Sequence, residues 1–100
     1  MPNLVVRVSH QLPQDEALRR IQAAVAHAKV QHSDKINDLR DSWSSYVGVF
    51  EVSGMGFKGS GMVSVNPSDV TVQTTIPLAA LLFKSRIESG IRDALTRILA

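Results

Sequence analysis

Three histidines, nine carboxylates and one Gly-Ser-Gly triplet are the residues of this chain whose types could do chemistry. A catalytic base would have to come from His10, His27 or His32. His10 stands at a strand-to-helix junction, and the other two lie on the first helix or just past it. Five positions apart on a helix means about 140° of rotation, so His27 and His32 do not share a metal as an i,i+4 pair does. Each histidine is expected in a surface or capping role, and no Asp/Glu/His cluster has metal-ligand spacing. Most acids, among them Asp15, Glu16, Asp69, Glu88 and Asp93, fall at helix starts, in turns or in helix ion pairs. Glu51 stands among valines, but its alternation with Phe50 and Val52 points it to solvent. Ser60, between Gly59 and Gly61, has the look of a nucleophile or a phosphate loop. It lies inside an alternating strand, however, not at the strand-to-helix turn either motif needs. No catalytic residue, cofactor or metal is therefore expected; were there an activity, only His10 with a nearby acid could support it.

The whole chain narrows the classes further. Its 100 residues, 44% hydrophobic, 20% charged and 5% aromatic, fit one domain over 1–100 with a modest core. With no cysteine there is no disulfide framework, thiolate nucleophile or cysteine-held metal. No apolar run is long enough to span a membrane and the first ten residues lack signal-peptide character, so a cytoplasmic protein is expected. Eleven Lys and Arg against nine Asp and Glu leave a net charge of +2, too small an excess to make a basic surface.

The elements that position these residues follow from periodicity. Leu4-Val5-Val6-Arg7-Val8 is a β-branched strand. Pro13 opens a helix with Asp15 and Glu16 near its positive end, and Ala17, Leu18, Ile21, Ala24, Val25 and Ala28 share its apolar face. Between Ser33 and Ser45 the pattern is open: the shared parity of Leu39, Asp41 and Trp43 allows a short strand, and a helical extension is also possible. Tyr46 to Val52 reads as a strand. Phe57 to Val65 and Asp69 to Ile76 alternate with a period of two around the turn Asn66-Pro67-Ser68, an antiparallel hairpin. There Gly59 and Gly61 fall on the inner face and could make room for a helix. After Pro77 a second helix is expected from Leu78 to the end, with Phe83, Ile87, Ile91, Ala94, Leu95 and Ile98 on its buried stripe and ion pairs Glu88–Arg92 and Asp93–Arg97 outside. The order is β-α-β-β-β-(β)-α. The fold class is α+β, an antiparallel sheet of about four strands with both helices on one face.

An α-β-β-β-α core with a basic last helix would suggest a double-stranded RNA binder. Here Lys84, Arg86, Arg92 and Arg97 alternate with Glu88 and Asp93, and Arg19-Arg20 is the only adjacent basic pair, so no nucleic acid is expected. The stronger anomaly is apolar. On the helical wheel Leu78 and Leu82 point away from the stripe of their own helix. Either loop residues near Trp43 and Tyr46 cover them, or a partner does, a homodimer being the commonest kind.

Three blocks then stand out: Val8-Ser9-His10-Gln11-Leu12-Pro13 with Glu16-Ala17; Trp43, Phe50 and Gly59-Ser60-Gly61 leading into the hairpin; and Ile76-Pro77-Leu78, Phe83-Lys84 and Ile87-Glu88, ending Leu95-Thr96-Arg97-Ile98-Leu99. Together they resemble the small bacterial polyhydroxyalkanoic acid system proteins, also called polyhydroxyalkanoate granule region proteins. The likeness spans essentially the whole chain, although Gln31 to Ser45 is longer and more polar than the family pattern. The resemblance carries no catalytic residues to transfer. It implies a link to polyester storage, and His10, Trp43, Leu78, Leu81 and Leu82 match its recurring positions. With the outward leucines, the expected function is that of a non-enzymatic accessory protein at the granule surface or on its proteins, with Leu78, Leu81, Leu82, Trp43 and Tyr46 as candidate surface or ligand-binding residues. The alternative is a module holding a fatty-acid-like ligand between sheet and helix beside Gly59 and Gly61; a plain homodimer is a third.

Overall fold

A computed structural model describes residues 3–31, 38–54, 57–76 and 78–100. In chain order it contains β1 (Asn3–Ser9), α1 (Gln14–Gln31), β2 (Asp38–Ser44), β3 (Val47–Gly54), β4 (Phe57–Val65), β5 (Asp69–Thr75), a 3₁₀ turn η1 (Leu78–Phe83) and α2 (Lys84–Leu99). The α+β class and the element order are as expected. Among the described residues the open count resolves to five strands; of the ambiguous middle segment, Asp38–Ser44 is a strand, and residues 33–37 lie outside the described residues.

The five strands form one antiparallel sheet in the order β1-β5-β4-β3-β2. β2 through β5 are neighbours in both sequence and space, while β1 pairs with β5 from Asn3↔Thr75 to Ser9↔Asp69. The chain must therefore cross from one edge of the sheet to the other between β1 and β2. α1 makes that crossing. Its 18 residues span about 27 Å, enough to traverse five strands spaced about 4.8 Å apart. Its start follows the sequence: the Ala17 N–H donates to the Pro13 carbonyl at 3.0 Å, closing the first turn directly after the proline.

Register decides which residues meet. Leu4 and Val6 of β1, Val70 of β5, and Val63 and Val65 of β4 share one face of the sheet. They are buried in a single core with Ala17 and Ile21 of α1, Ile76, and Leu95 and Leu99 of α2. Both helices therefore cover the same face, as their single apolar stripes require. Burying each such aliphatic side chain is worth roughly 1.5–3 kcal/mol. Leu18, Ala24, Val25 and Ala28 complete the α1 stripe half-buried. Arg20 locks the helices together: its guanidinium pairs with Glu16 at 3.0 Å and donates to the Ala100 carbonyl at 2.6 Å, beyond the end of α2, where a cation also meets the negative end of the helix dipole.

Three expectations about the last helix are corrected. The α-helix begins at Lys84, six residues later than expected, because Leu78 to Phe83 wind as a 3₁₀ turn. A 3₁₀ turn repeats every three residues instead of 3.6, so the phase of the stripe is lost across it. Phe83, expected on the buried stripe, is 53% exposed. The Glu88–Arg92 pair forms at 3.4 Å, whereas Asp93 and Arg97 do not pair.

Candidate functional site

Folding leaves one short segment with little cover. η1 is the sequence Leu-Ala-Ala-Leu-Leu-Phe, and none of its residues is buried. Leu78 is 72% exposed, Leu81 40% and Leu82 92%. A period of three places Leu78 with Leu81, Ala79 with Leu82, and Ala80 with Phe83 in three rows. Only the Ala80 row touches the core, and there only through Ala80 itself. Six consecutive apolar residues are all buried only where other elements pack on every side, and here Leu78 and Leu82 are left largely uncovered. Exposed leucines scattered singly are ordinary; three with a phenylalanine within six consecutive residues are not.

The sheet separates the five candidate surface residues into two groups. η1 follows the end of β5 that pairs with the start of β1. Tyr46 lies at the other end, where its carbonyl accepts the Val65 N–H at 2.8 Å, one residue before the Asn66–Ser68 turn. β5 lies between them, seven residues or about 20 Å at strand rise. Tyr46 and Trp43 therefore do not cover Leu78 and Leu82. The Tyr46 hydroxyl donates to Asp15 at the start of α1, a bond that raises the phenol's pKa. The Trp43 indole lies over Gly48, where an added Cβ would come within 2.8 Å of the ring, and meets Phe50 edge-to-face with centroids 5.6 Å apart. Its Nε1 donates to Asp41 at 3.0 Å, and Asp41 also accepts the Lys29 ammonium from α1. These two donors, Lys29 foremost, hold the Asp41 carboxyl below its ordinary pKa. Both aromatic residues thus fasten the β2–β3 hairpin to α1.

His10 is buried, against its expected place at the surface, and its capping is internal. The Leu12 N–H can only donate, so Nδ1, 3.1 Å away, must accept and be unprotonated. Nε2 then carries the hydrogen of the neutral ring and donates to the Asn66 carbonyl at 3.0 Å. The His10 N–H also donates to the Ser68 carbonyl at 2.9 Å. With both ring nitrogens committed to backbone, His10 ties the β1–α1 junction to the β4–β5 turn. His27 is exposed on α1, and His32 lies outside the described residues. Among the described residues no three His, Cys, Asp or Glu side chains gather as metal ligands.

Arg19 and Arg20 both bond Glu16 and depress its pKa, so the adjacent basic pair is taken up by its own helix. Gly61 serves close approach: a Cβ there would lie 2.9 Å from the Gln73 carbonyl oxygen. An open concavity of about 310 Å³ lies on the outer sheet face, with Val5, Val49 and Met62 among polar neighbours such as Asn3 and Gln73. It is on the side away from the helices, not between sheet and helix. No helix of the described residues is long and apolar enough to cross a membrane.

Fold and surface define the class: a small α+β protein with a five-stranded antiparallel sheet, two helices on one face and one uncovered apolar turn. Within that class the chain belongs to the family described as "Putative polyhydroxyalkanoic acid system protein", whose family model matches residues 4–99. That membership ties it to the polyhydroxyalkanoate system. No curated protein and no solved structure matches the chain.

The sequence pointed to Leu78, Leu81 and Leu82 but missed Phe83 as part of the same patch. The signal that could have found it is the unbroken apolar run itself: at the edge of a two-layer fold, an element apolar on every side is covered on only part of its circumference.

Proposed function

We infer that this chain is a non-enzymatic accessory protein of polyhydroxyalkanoate storage, acting by laying η1 against the granule surface or a protein on it. The observation that carries the reading is the exposure of Leu78, Leu81, Leu82 and Phe83 side by side on one turn. A hydrophobic granule offers these side chains the burial that their own helix cannot. Fully burying a leucine or phenylalanine is worth roughly 1.5–3 kcal/mol, so four partly covered ones supply on the order of 5 kcal/mol. Association itself costs an estimated ~4–15 kcal/mol, so apolar contact through η1 alone gives weak, reversible binding. The commitment of both His10 nitrogens to backbone supports the non-enzymatic part of the reading.

The test is Leu78→Asp combined with Leu82→Asp. Both side chains are largely exposed, so the double variant is expected to keep its circular dichroism and melting temperature while losing co-sedimentation with isolated granules. A folded double variant that sediments with granules as the parent does overturns the reading. If the variant instead separates a dimer into monomers in light scattering and leaves granule binding intact, η1 is a contact between copies of this chain.

A further inference from the structure

η1 leads straight into two cations. Lys84 and Arg86 occupy the first turn of α2 with exposed side chains, and among the described residues neither has an ion-pair or hydrogen-bond partner. Five other basic residues are differently placed: Arg7, Arg19, Arg20, Lys29 and Arg92 each hold an acidic partner. No acid occurs in the sequence from Val70 to Ile87, and the first turn of α2 has neither an acidic residue nor a side-chain cap. The positive end of a 16-residue helix therefore adds to two unneutralised charges. The apolar turn and the cationic turn are consecutive, so whatever covers the first also meets the second.

Three occupants differ in how they treat those charges. An uncharged polyester would desolvate Lys84 and Arg86 and return nothing. A second copy pairing η1 with η1 about a twofold axis would set like charges against each other. An anionic amphiphile layer satisfies both halves: its acyl region takes the leucines and its headgroups take the cations.

We propose that η1 and the first turn of α2 form an interfacial anchor for an anionic phospholipid surface, with Leu78, Leu81, Leu82 and Phe83 in the acyl boundary and Lys84 and Arg86 at the phosphates. This rests on the reading of η1 as the contact surface and names what it contacts.

The experiment is co-sedimentation of the full chain with vesicles of equal parts phosphatidylglycerol and phosphatidylcholine, with pure phosphatidylcholine vesicles, and with lipid-free polyester particles. The anchor predicts binding to the anionic vesicles that falls as salt is raised and little binding to phosphatidylcholine alone. Lys84→Gln with Arg86→Gln is expected to weaken anionic-vesicle binding about 30-fold, from about 1 kcal/mol per cation near an anionic surface, and not to weaken particle binding, since the polyester gains nothing from the charges. Leu82→Asp is expected to abolish binding to both. Equal binding to the two vesicle types, or a charge variant that binds as the parent does, overturns the anchor. A parent that binds particles but not anionic vesicles overturns the anchor and leaves the granule reading standing; one that binds neither overturns the anchor and the polyester surface as the contact, leaving a protein on the granule to be tested by co-sedimentation with isolated granules.

Discussion

His10 carries two ring nitrogens, and the fold uses each on a different backbone segment. Replacing it with alanine leaves the Leu12 N–H and the Asn66 carbonyl without these partners in a partly buried place. Each orphaned group costs about 1–3 kcal/mol, so His10→Ala is expected to lower the denaturation midpoint by the equivalent of at least one of them, read in urea by circular dichroism. Asp41 makes a second prediction at this scale. Its folded pKa lies below its ordinary value because Lys29 and Trp43 donate to the carboxylate. A depressed carboxyl adds stability that is present above its unfolded pKa and is lost as pH falls through the folded one. The melting-temperature advantage of the parent over Asp41→Asn is therefore expected to hold at neutral pH and shrink below about pH 4. An advantage unchanged into that range would contradict the pairing. At this scale the sequence was informative about exposure and poor about partners. Leu78 and Leu82 pointed outward on the wheel and are outward in the fold. That His10 would reach Asn66, 56 positions away, depends on a register that no local pattern contains.

Among the elements, the β2–β3 hairpin shows what patterning can and cannot reveal. β2 reads Asp-Leu-Arg-Asp-Ser-Trp-Ser, too polar for a central strand. As the last strand of the sheet it needs little apolar content, and the shared parity of Leu39, Asp41 and Trp43 that allowed a strand there falls on its inward face, opposite Val52, Phe50 and Gly48. An acid on that face was not foreseen, because its partner Lys29 arrives from α1. The hairpin closes through Ser45 and Tyr46, with Ser45 at φ 52°, the left-handed region that two-residue hairpin turns require. Serine there is strained relative to glycine by about 1 kcal/mol. Ser45→Gly is thus expected to raise the melting temperature by a few degrees; a decrease would mean that the serine side chain is needed at the turn. The 3₁₀ turn is the element that sequence reading misjudged. Its composition suits an α-helix as well as a 3₁₀ one, so the helix start was placed six residues early and Phe83 was assigned to the core.

Across the whole molecule, the strand order places two kinds of work at opposite ends of the sheet. At the turn end, His10, Tyr46 and Trp43 bind hairpins to the helix layer and are structural. At the other end β5 runs out toward η1, where four large apolar side chains and two free cations meet solvent. The fold class was legible because alternation in β4 and β5 and the stripe of α1 each demand the same buried face. The location of the surface was legible only in part, since Trp43 and Tyr46 looked like neighbours of Leu78 until the register separated them. The absence of cysteine makes the central claim directly measurable: a single cysteine can be placed and labelled with an environment-sensitive fluorophore. Leu82→Cys reports from η1, and Glu51→Cys reports from the exposed face of β3. On adding granules, the label at position 82 is expected to shift to the blue and become shielded from an aqueous quencher, while the label at position 51 stays unchanged. A protein that binds granules with the label at 82 still open to quencher would contradict the account.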